Sequence, residues 1–517
     1  MRDVKYICSV LILFAAAISA YAQKTSAGWV DGELLVKFSD GSTSEMAKTA
    51  NRSMGAAVIE VLGDLGWQRV KLPDGLAVDK AISRYRNFQG VENAQPNYYY
   101  HVLATPNDAS YTSSGMWGLG KISAPLAWDL STGSSTVVVA DIDTGMLYTH
   151  QDLAANAWVN QGEIPNNGID DDGNGFIDDV NGWDFFYNDS NPIDDAGGHG
   201  THTAGTIGAV GNNLLNVVGV NWTVKIMPIK IYSPNGTDST SSMLVNAYNY
   251  IRMMKLRGVN IRATNNSYGN CGEACGYDQA TKDGIDAMGA AGIVSVFAAG
   301  NDNNNNDVNP APSYPSVYTS PSIIAVASST STDIKSSFSS YGLVTVDLAA
   351  PGSGVLSTYN SSTTATATLS GTSMATPHVT GAVALLSAYN PNLSVASLKA
   401  TILNTVDPLA NWTGIVKTGG RLNINQALRN QTVCSFNTPT SSITVPTKGG
   451  VFTVNVTAAT NCDYFVKSPV RWIKIMSADT MSGNGTFTFR VTANPTITRS
   501  ANISIGGQNY TITQSRN

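Results

Sequence analysis

Val137-Val-Val-Ala-Asp-Ile-Asp-Thr-Gly145 sets the architecture. Its apolar, mostly β-branched run is short and closes on a turn signal, so it reads as a buried strand. Lys225-Ile-Met-Pro-Ile-Lys-Ile231, Ile293-Val-Ser-Val-Phe297 and Ile323-Ile-Ala-Val-Ala327 share that character. Between the second and third of these four runs, Leu244, Tyr248, Ile251 and Lys255 fall at helical spacing. Buried strands alternating with helices predict an α/β fold, with a mostly parallel central sheet covered on both faces. Active sites of such folds lie at the carboxyl ends of the strands. Asp143 stands at such an end.

This unit is expected to run over residues 105–430, and different material flanks it. At the N-terminus, residues 1–22 combine Arg2 and Lys5 with an apolar stretch from Ile7 to Ile18 and a small-x-small Ala20-Tyr-Ala22. That is the pattern of a cleaved secretory signal. Residues 23–104 read as a small α+β unit, in which Glu33-Leu-Leu-Val-Lys-Phe38 alternates like a strand. In residues 434–517, Ser442–Pro446, Val451–Thr457, Thr486–Thr492 and Ala501–Ile505 alternate with period two between glycine pairs. This predicts a small all-β sandwich.

The 517 residues carry 31 basic and 37 acidic side chains, and only 13% of the chain is charged. No basic stripe for nucleic acid exists. A hydrophobic content of 42% excludes general disorder. Beyond the N-terminus no apolar run reaches the roughly 20 residues of a membrane span. Four cysteines follow the signal: Cys271, Cys275, Cys434 and Cys462. An even number in an exported chain predicts disulfides, and of three pairings the local one (271–275, 434–462) is simplest. A zinc site drawing the thiols together is the alternative.

Three motifs carry chemistry. Asp143-Thr-Gly145 presents a carboxylate at a sharp turn; Asp141, inside the run, is its weaker competitor. Gly198-His-Gly-Thr-His-Thr-Ala-Gly205 opens a helix with a histidine among glycines. Gly371-Thr-Ser-Met-Ala-Thr-Pro-His378 sets Ser373 at a helix start, where developing negative charge is favoured. Each alone has an ordinary reading: a turn cap, a metal pair with His202, an N-cap. Together, in the order Asp, His, Ser, they form a nucleophilic triad. Ala298-Ala-Gly-Asn301 adds a side-chain amide just past a strand, fit to donate to an oxyanion. Ala375 stands where the Gly-x-Ser-x-Gly elbow needs glycine, which argues against a lipase or esterase.

In that order the four motifs resemble the subtilisin-like serine proteases, the subtilases, over about 325 residues. The resemblance implies a three-layer subtilisin-like fold and a secreted endopeptidase. Ser373 is then the nucleophile, His199 the base, Asp143 its orienting partner and Asn301 an oxyanion donor. It also implies that Ser267-Tyr268-Gly269 and Ala298-Ala299-Gly300 wall the pocket for the residue before the scissile bond, with Ser313 near its floor. Residues 23–104 resemble the family's propeptide, an inhibitor and chaperone removed by self-cleavage between Tyr100 and Thr105. Residues 434–517 resemble a BACON-type or related Ig-like β module, whose ligand would be a glycan or a protein surface; a spacer role is the alternative. A decayed, non-catalytic adhesin is the competing function, and the intact triad argues against it.

Nine acidic residues between 170 and 195 repel one another unless a cation or solvent screens them. Asp170, Asp172, Asn174 and Gly175 have the spacing of the first half of an EF-hand loop, with Asp178 following. Asn181 replaces that loop's closing Glu, so the expectation is a calcium loop of another kind. Asp184 and Asp189 resemble the calcium loop before the catalytic His in thermitase-like subtilases, with Tyr187 replacing one carboxylate. The family's strong calcium site maps onto Asp108, Asp152 and Asn213, with Leu215 and Val217 offering carbonyls.

Overall fold

The computed structural model describes residues 29–99, 104–112, 115–235, 239–269, 277–308, 312–478, 480–494 and 497–515. The signal segment, Cys271, Cys275 and most of the expected processing region lie outside them. The chain divides into two compact units, 1–102 and 103–517.

The first unit is a four-stranded antiparallel sheet in the order Ala57–Leu62, Trp67–Lys71, Trp29–Phe38, Val91–Tyr98. Leu34, Val36 and Phe38 alternate inward and pack with Ala47, Ala50, Ala81 and Tyr85 of two helices, Glu45–Met54 and Val78–Tyr85. Ser44 caps the first helix by accepting from the Ala47 amide at 3.2 Å.

The second unit is built on a nine-stranded sheet. Its order is Asp407–Pro408, Gly420–Arg421, Leu348–Pro351, Ile323–Ser329, Val294–Ala298, Ile261–Asn266, Gly133–Asp143, Thr223–Lys230, Trp183–Asp184. All neighbours are parallel except the first pair. The pleat explains why the strand sequences are apolar throughout. Val294 and Val296 face a core with Val379, Ala382 and Leu386 of helix Thr372–Tyr389. Phe297 faces the opposite core with Tyr248 and Ile251 of helix Ser241–Leu256. A strand buried on both faces has no polar side to show.

The C-terminal segment folds as two sheets sharing one core. Five strands run in the order Ser442–Val445, Gln508–Gln514, Arg499–Ile505, Asp463–Lys467, Thr480–Ser482, and three run Gly450–Val456, Gly485–Val491, Ile473–Ile475. Cys434 and Cys462 form a disulfide with Cα atoms 5.6 Å apart, as the local pairing predicts. The segment does not stand apart as a third body. Ala396 and Ala400 of helix Val395–Asn404 belong to its apolar core beside Phe436 and Tyr464. Lys399 of the same helix is buried and pairs with Asp463 at 2.7 Å. Removing one partner of such a pair leaves an uncompensated buried charge. Lys399→Met is expected to lower unfolding stability by about 3–5 kcal/mol, read as a lower urea midpoint. The double variant Lys399→Met/Asp463→Leu should recover most of that loss; if the single change moves nothing, the pair does not hold the junction.

Candidate active site

Three strand ends and two helix starts converge. Asp143 is the last residue of the strand Gly133–Asp143, and His199 opens the helix His199–Gly208. Glycine lets these two segments touch. A Cβ on Gly200 would lie 2.1 Å from the Gly145 carbonyl, so no other residue fits there. The His199 Nδ1–H donates to Asp143 Oδ1 at 2.7 Å, and the Thr144 amide donates to the same oxygen at 2.8 Å. Nδ1 is therefore the protonated nitrogen, and Nε2 keeps its lone pair as a base. Asp143 Oδ2 is buried without a hydrogen-bond partner among the described residues. Burial alone would lower the His199 pKa, but the charge and hydrogen bond of Asp143 outweigh it and raise it to about 9.

Ser373 lies in the first turn of helix Thr372–Tyr389. Pro377, four residues on, has no N–H for the Ser373 carbonyl. The hydroxyl of Ser267 takes that place, donating to the carbonyl at 3.0 Å. In return the Ser373 hydroxyl donates to the Ser267 carbonyl at 3.1 Å. The nucleophile is thus tied at both ends to the segment that follows the strand Ile261–Asn266.

The Asn301 amide is oriented by Thr372. Its Oδ1 accepts from the Thr372 N–H and hydroxyl, both at 2.9 Å, which leaves Nδ2 as the free donor end. A Cβ built on Gly371 would lie 3.5 Å from the Ser373 nitrogen and 3.7 Å from Asn301 Nδ2. Two N–H donors therefore face one space beside a hydroxyl, which is the geometry that stabilises a tetrahedral oxyanion.

The pocket residues also come together. Gly269 has φ +142°, and a Cβ there would meet the Tyr314 carbonyl at 2.8 Å. A Cβ on Gly300 (φ +103°) would lie 2.6 Å from the Ser313 hydroxyl, so Ser313 abuts the segment Ala298–Gly300. Ala298 and Ala299 are buried. The Tyr268 side chain points into the core, packing on Phe297 and donating to Asn266 Oδ1 at 2.9 Å. Only its backbone is left to act as a wall. The other histidines among the described residues are structural in their contacts: His150 bonds the Ala365 carbonyl, His202 that of Val355 and His378 that of Met374.

The residues expected to hold calcium sort into three arrangements. Glu163, Asp172 and Asp179 bring carboxylate oxygens within 4.8 Å of one another. Asn160 and Asn174 bond into the same cluster. Burial pushes Asp179 up to about 6, against hydrogen bonds from Tyr250, Asn160 and Asn174. Glu163 also accepts from the Asp172 and Asp178 amides, at 3.1 and 3.0 Å, and Asp172 pairs with Arg257 at 3.1 Å; what distinguishes this cluster is the convergence of three carboxylates around a destabilised buried one, an oxygen set of the kind hard cations take. Glu163 and Asp179 escaped the sequence reading because Glu163 lies outside the spaced motif. Asp170 and Asp178 instead spend both oxygens on loop amides, those of Asn174 and Gly175 and of Asn167 and Gly168.

The second arrangement holds Asp184 and Asp189. Asp184 is fully buried, and its cation is the Lys230 ammonium at 3.2 Å, which also bonds Asp195 at 2.5 Å and lies 5.0 Å from the Tyr187 ring centre. Tyr187 stands in place of a carboxylate, and the Lys230 ammonium supplies a cation of the protein's own beside Asp184. Asp189 caps the Asn191 amide at 3.0 Å. In the third arrangement Asp108 and Asp152 are buried under the loop 212–217. Asp108 accepts from the Asn212 amide at 2.7 Å, while Asn213 Nδ2 and the Val217 amide donate to Asp152 at 3.1 and 3.2 Å. The Leu215 carbonyl accepts from Ala109.

Residues 134–433 match the model of the subtilase family, and residues 15–97 match the fervidolysin N-terminal prodomain. Thermitase of Thermoactinomyces vulgaris is 38% identical over 325 residues, covering 63% of this chain and 99% of that protein. An extracellular protease of Xanthomonas campestris pv. campestris is 32% identical, covering 77% of this chain and 73% of its own. Subtilisin Savinase of Lederbergia lenta is 32% identical over 57% of this chain and 92% of its own.

Proposed function

Because the chain belongs to the subtilase family, we propose that Ser373, His199, Asp143 and Asn301 carry peptide-bond hydrolysis in a zymogen that processes itself and is exported. The chain is a serine-type endopeptidase. The observation that carries the residue assignment is the 2.7 Å bond from His199 Nδ1 to buried Asp143, which leaves Nε2 basic. A serine hydroxyl is a weak nucleophile and needs that base. The hydroxyl turns from the Ser267 carbonyl toward His199, loses its proton to Nε2 and attacks the peptide carbonyl. The oxyanion is met by Asn301 Nδ2 and the Ser373 N–H. The imidazolium, held by Asp143, then protonates the leaving amine. Water repeats the sequence on the acyl-enzyme.

The edge at 267–269 is fit to pair with an extended substrate backbone. No acidic side chain stands among residues 267–269, 298–300 and 313, so cleavage after neutral or apolar residues is favoured over basic ones. The prodomain match supports an inhibitory propeptide with processing near 100–105, and the extracellular relatives support secretion. Among the described residues no helix is long and apolar enough to cross a membrane. The β unit, whose apolar core takes in Ala396 and Ala400 of the helix Val395–Asn404, serves as a structural part of the mature protein, and a glycan or surface ligand would bind on its outer faces. A fluorophosphonate probe tests the assignment: it should label the mature wild type and not Ser373→Ala, and a label elsewhere refutes it.

Calcium is the cation we assign to Glu163, Asp172 and Asp179. A ligand bound only by the folded state adds about 2.7 kcal/mol at one hundred times its dissociation constant. Chelation is therefore expected to lower Tm in the wild type and to lower it less in Glu163→Gln. Equal wild-type melting with and without chelator would remove the assignment.

A further inference from the structure

Asp141 lies two residues before Asp143 on the same strand, so both carboxylates point to the same face. Both are 2% exposed. Asp141 Oδ1 accepts from Asn265 Nδ2 at 2.8 Å. Near Oδ2 sits the Thr203 hydroxyl, at 2.9 Å, and that hydroxyl is also 3.0 Å from the Gly200 carbonyl. One hydroxyl proton cannot serve two acceptors at full strength. The carbonyl has no proton to give, whereas a carboxyl does.

The groups around Asp141 also leave it without a cation of its own. On its strand stands Asp143, which is negative. On the helix above stands His199, whose Nδ1 is committed to Asp143. The flanking strand Ile261–Asn266 offers neutral Asn265, whose Oδ1 is held by Thr380 of the Ser373 helix. On the other flanking strand, Lys230 is engaged by Asp184 and Asp195, and Lys225 by the Ala155 carbonyl. Two buried carboxylates two residues apart on one strand, with one imidazole bonded to only one of them, cannot both ionise cheaply.

We propose that Asp141 is a positioning residue of the active site, held as a neutral carboxylic acid that donates to Thr203. Its proton completes a chain: Asp141 to Thr203, Thr203 to the Gly200 carbonyl next to His199. Through Asn265, which also donates to Ser267 at 3.1 Å, the chain reaches the Ser267 hydroxyl that holds the Ser373 carbonyl. The strand of the acid, the helix of the base and the helix of the nucleophile thus share one buried junction. Burial and the Asp143 charge both push the Asp141 pKa well up, in agreement. A neutral Asp141 also leaves Asp143 as the anion in direct contact with the imidazole.

This inference rests on the triad reading, and the test separates the two. Asp141→Asn and Asp141→Leu are made in the full chain, and the mature proteins are titrated with fluorophosphonate before kinetics. Asp141→Leu should lose about 100-fold in kcat with little change in KM, the scale on which a misplacement of about 1 Å acts. Asp141→Asn, which can still donate and accept, should recover most of that loss. Its acid limb of kcat/KM should stay where the wild type has it. A downward move of the limb by about one unit or more would mean that a negative charge had been removed, and the proposal would fall. An infrared difference spectrum at neutral pH, wild type minus Asp141→Asn, should show the carbonyl stretch of a protonated carboxyl. Its absence would also overturn the proposal, whether or not the leucine variant folds. If the wild type itself takes no label at Ser373, the triad reading fails instead.

Discussion

Ser373→Ala is expected to lower kcat by about six orders of magnitude while the protein stays folded and binds substrate. The loss is large because the hydroxyl, base and carboxylate act as one unit. A subtilisin without its serine loses about 2 × 10⁶-fold, and the residual rate comes from oxyanion donors and binding alone. Here those donors, Asn301 Nδ2 and the Ser373 N–H, do not depend on the side chain removed, so substrate affinity should change little once an added protease has removed the prodomain. The alanine chain should also fail to separate its prodomain, so a gel should show one longer band that still carries the prodomain in place of the mature chain. Processing at the usual site in Ser373→Ala preparations free of other protease would show that another group performs the cut.

Asp143→Asn is the second large effect, about 10⁴-fold in kcat, because an amide in that place favours the wrong imidazole tautomer. It also has a signature in pH. Activity needs His199 neutral, so kcat/KM rises as pH climbs through the His199 pKa. Asp143 raises that pKa, toward about 9. A third of the His199 side chain still faces solvent, which screens the attraction. The wild-type acid limb should therefore fall below 9 yet above the ordinary histidine value of 6.5. Without the anion the limb in Asp143→Asn should move to lower pH, even as the plateau collapses. An unmoved limb would mean that another group controls it.

The site was legible because its residues lie in short motifs at the ends of elements that could be read. Asp143 closes an apolar run, and His199 and Ser373 open helices beside glycines. The roles of those residues need three distant segments in one place; the Asp143–His199 bond joins two of them, and the Asn301–Thr372 pair joins the amide donor to the helix that carries Ser373. The acidic loop was read less well. Spacing selected Asp170, Asp172, Asn174 and Asp178, but two of those carboxylates turn to loop amides, while Glu163 and Asp179 come in from outside the motif. For Asp184 the sequence offered the family's calcium loop, and a lysine more than forty residues on fills it. In the C-terminal unit, alternation located four strands, yet the short strands Ile473–Ile475 and Thr480–Ser482 have too few residues to show a period.

The linear chain alone determined the strand–helix alternation, the triad order and the distinct character of the two ends. These depend on local periodicity and on which residue types sit together within a few positions. Tertiary structure alone decided which oxygens converge, which cation neutralises Asp184, how Asp141 joins the two catalytic helices, and that the last eighty residues share a core with the helix Val395–Asn404. Those outcomes depend on distances between segments remote in the chain, and hydrophobic patterning carries no record of where a buried charge will find its partner.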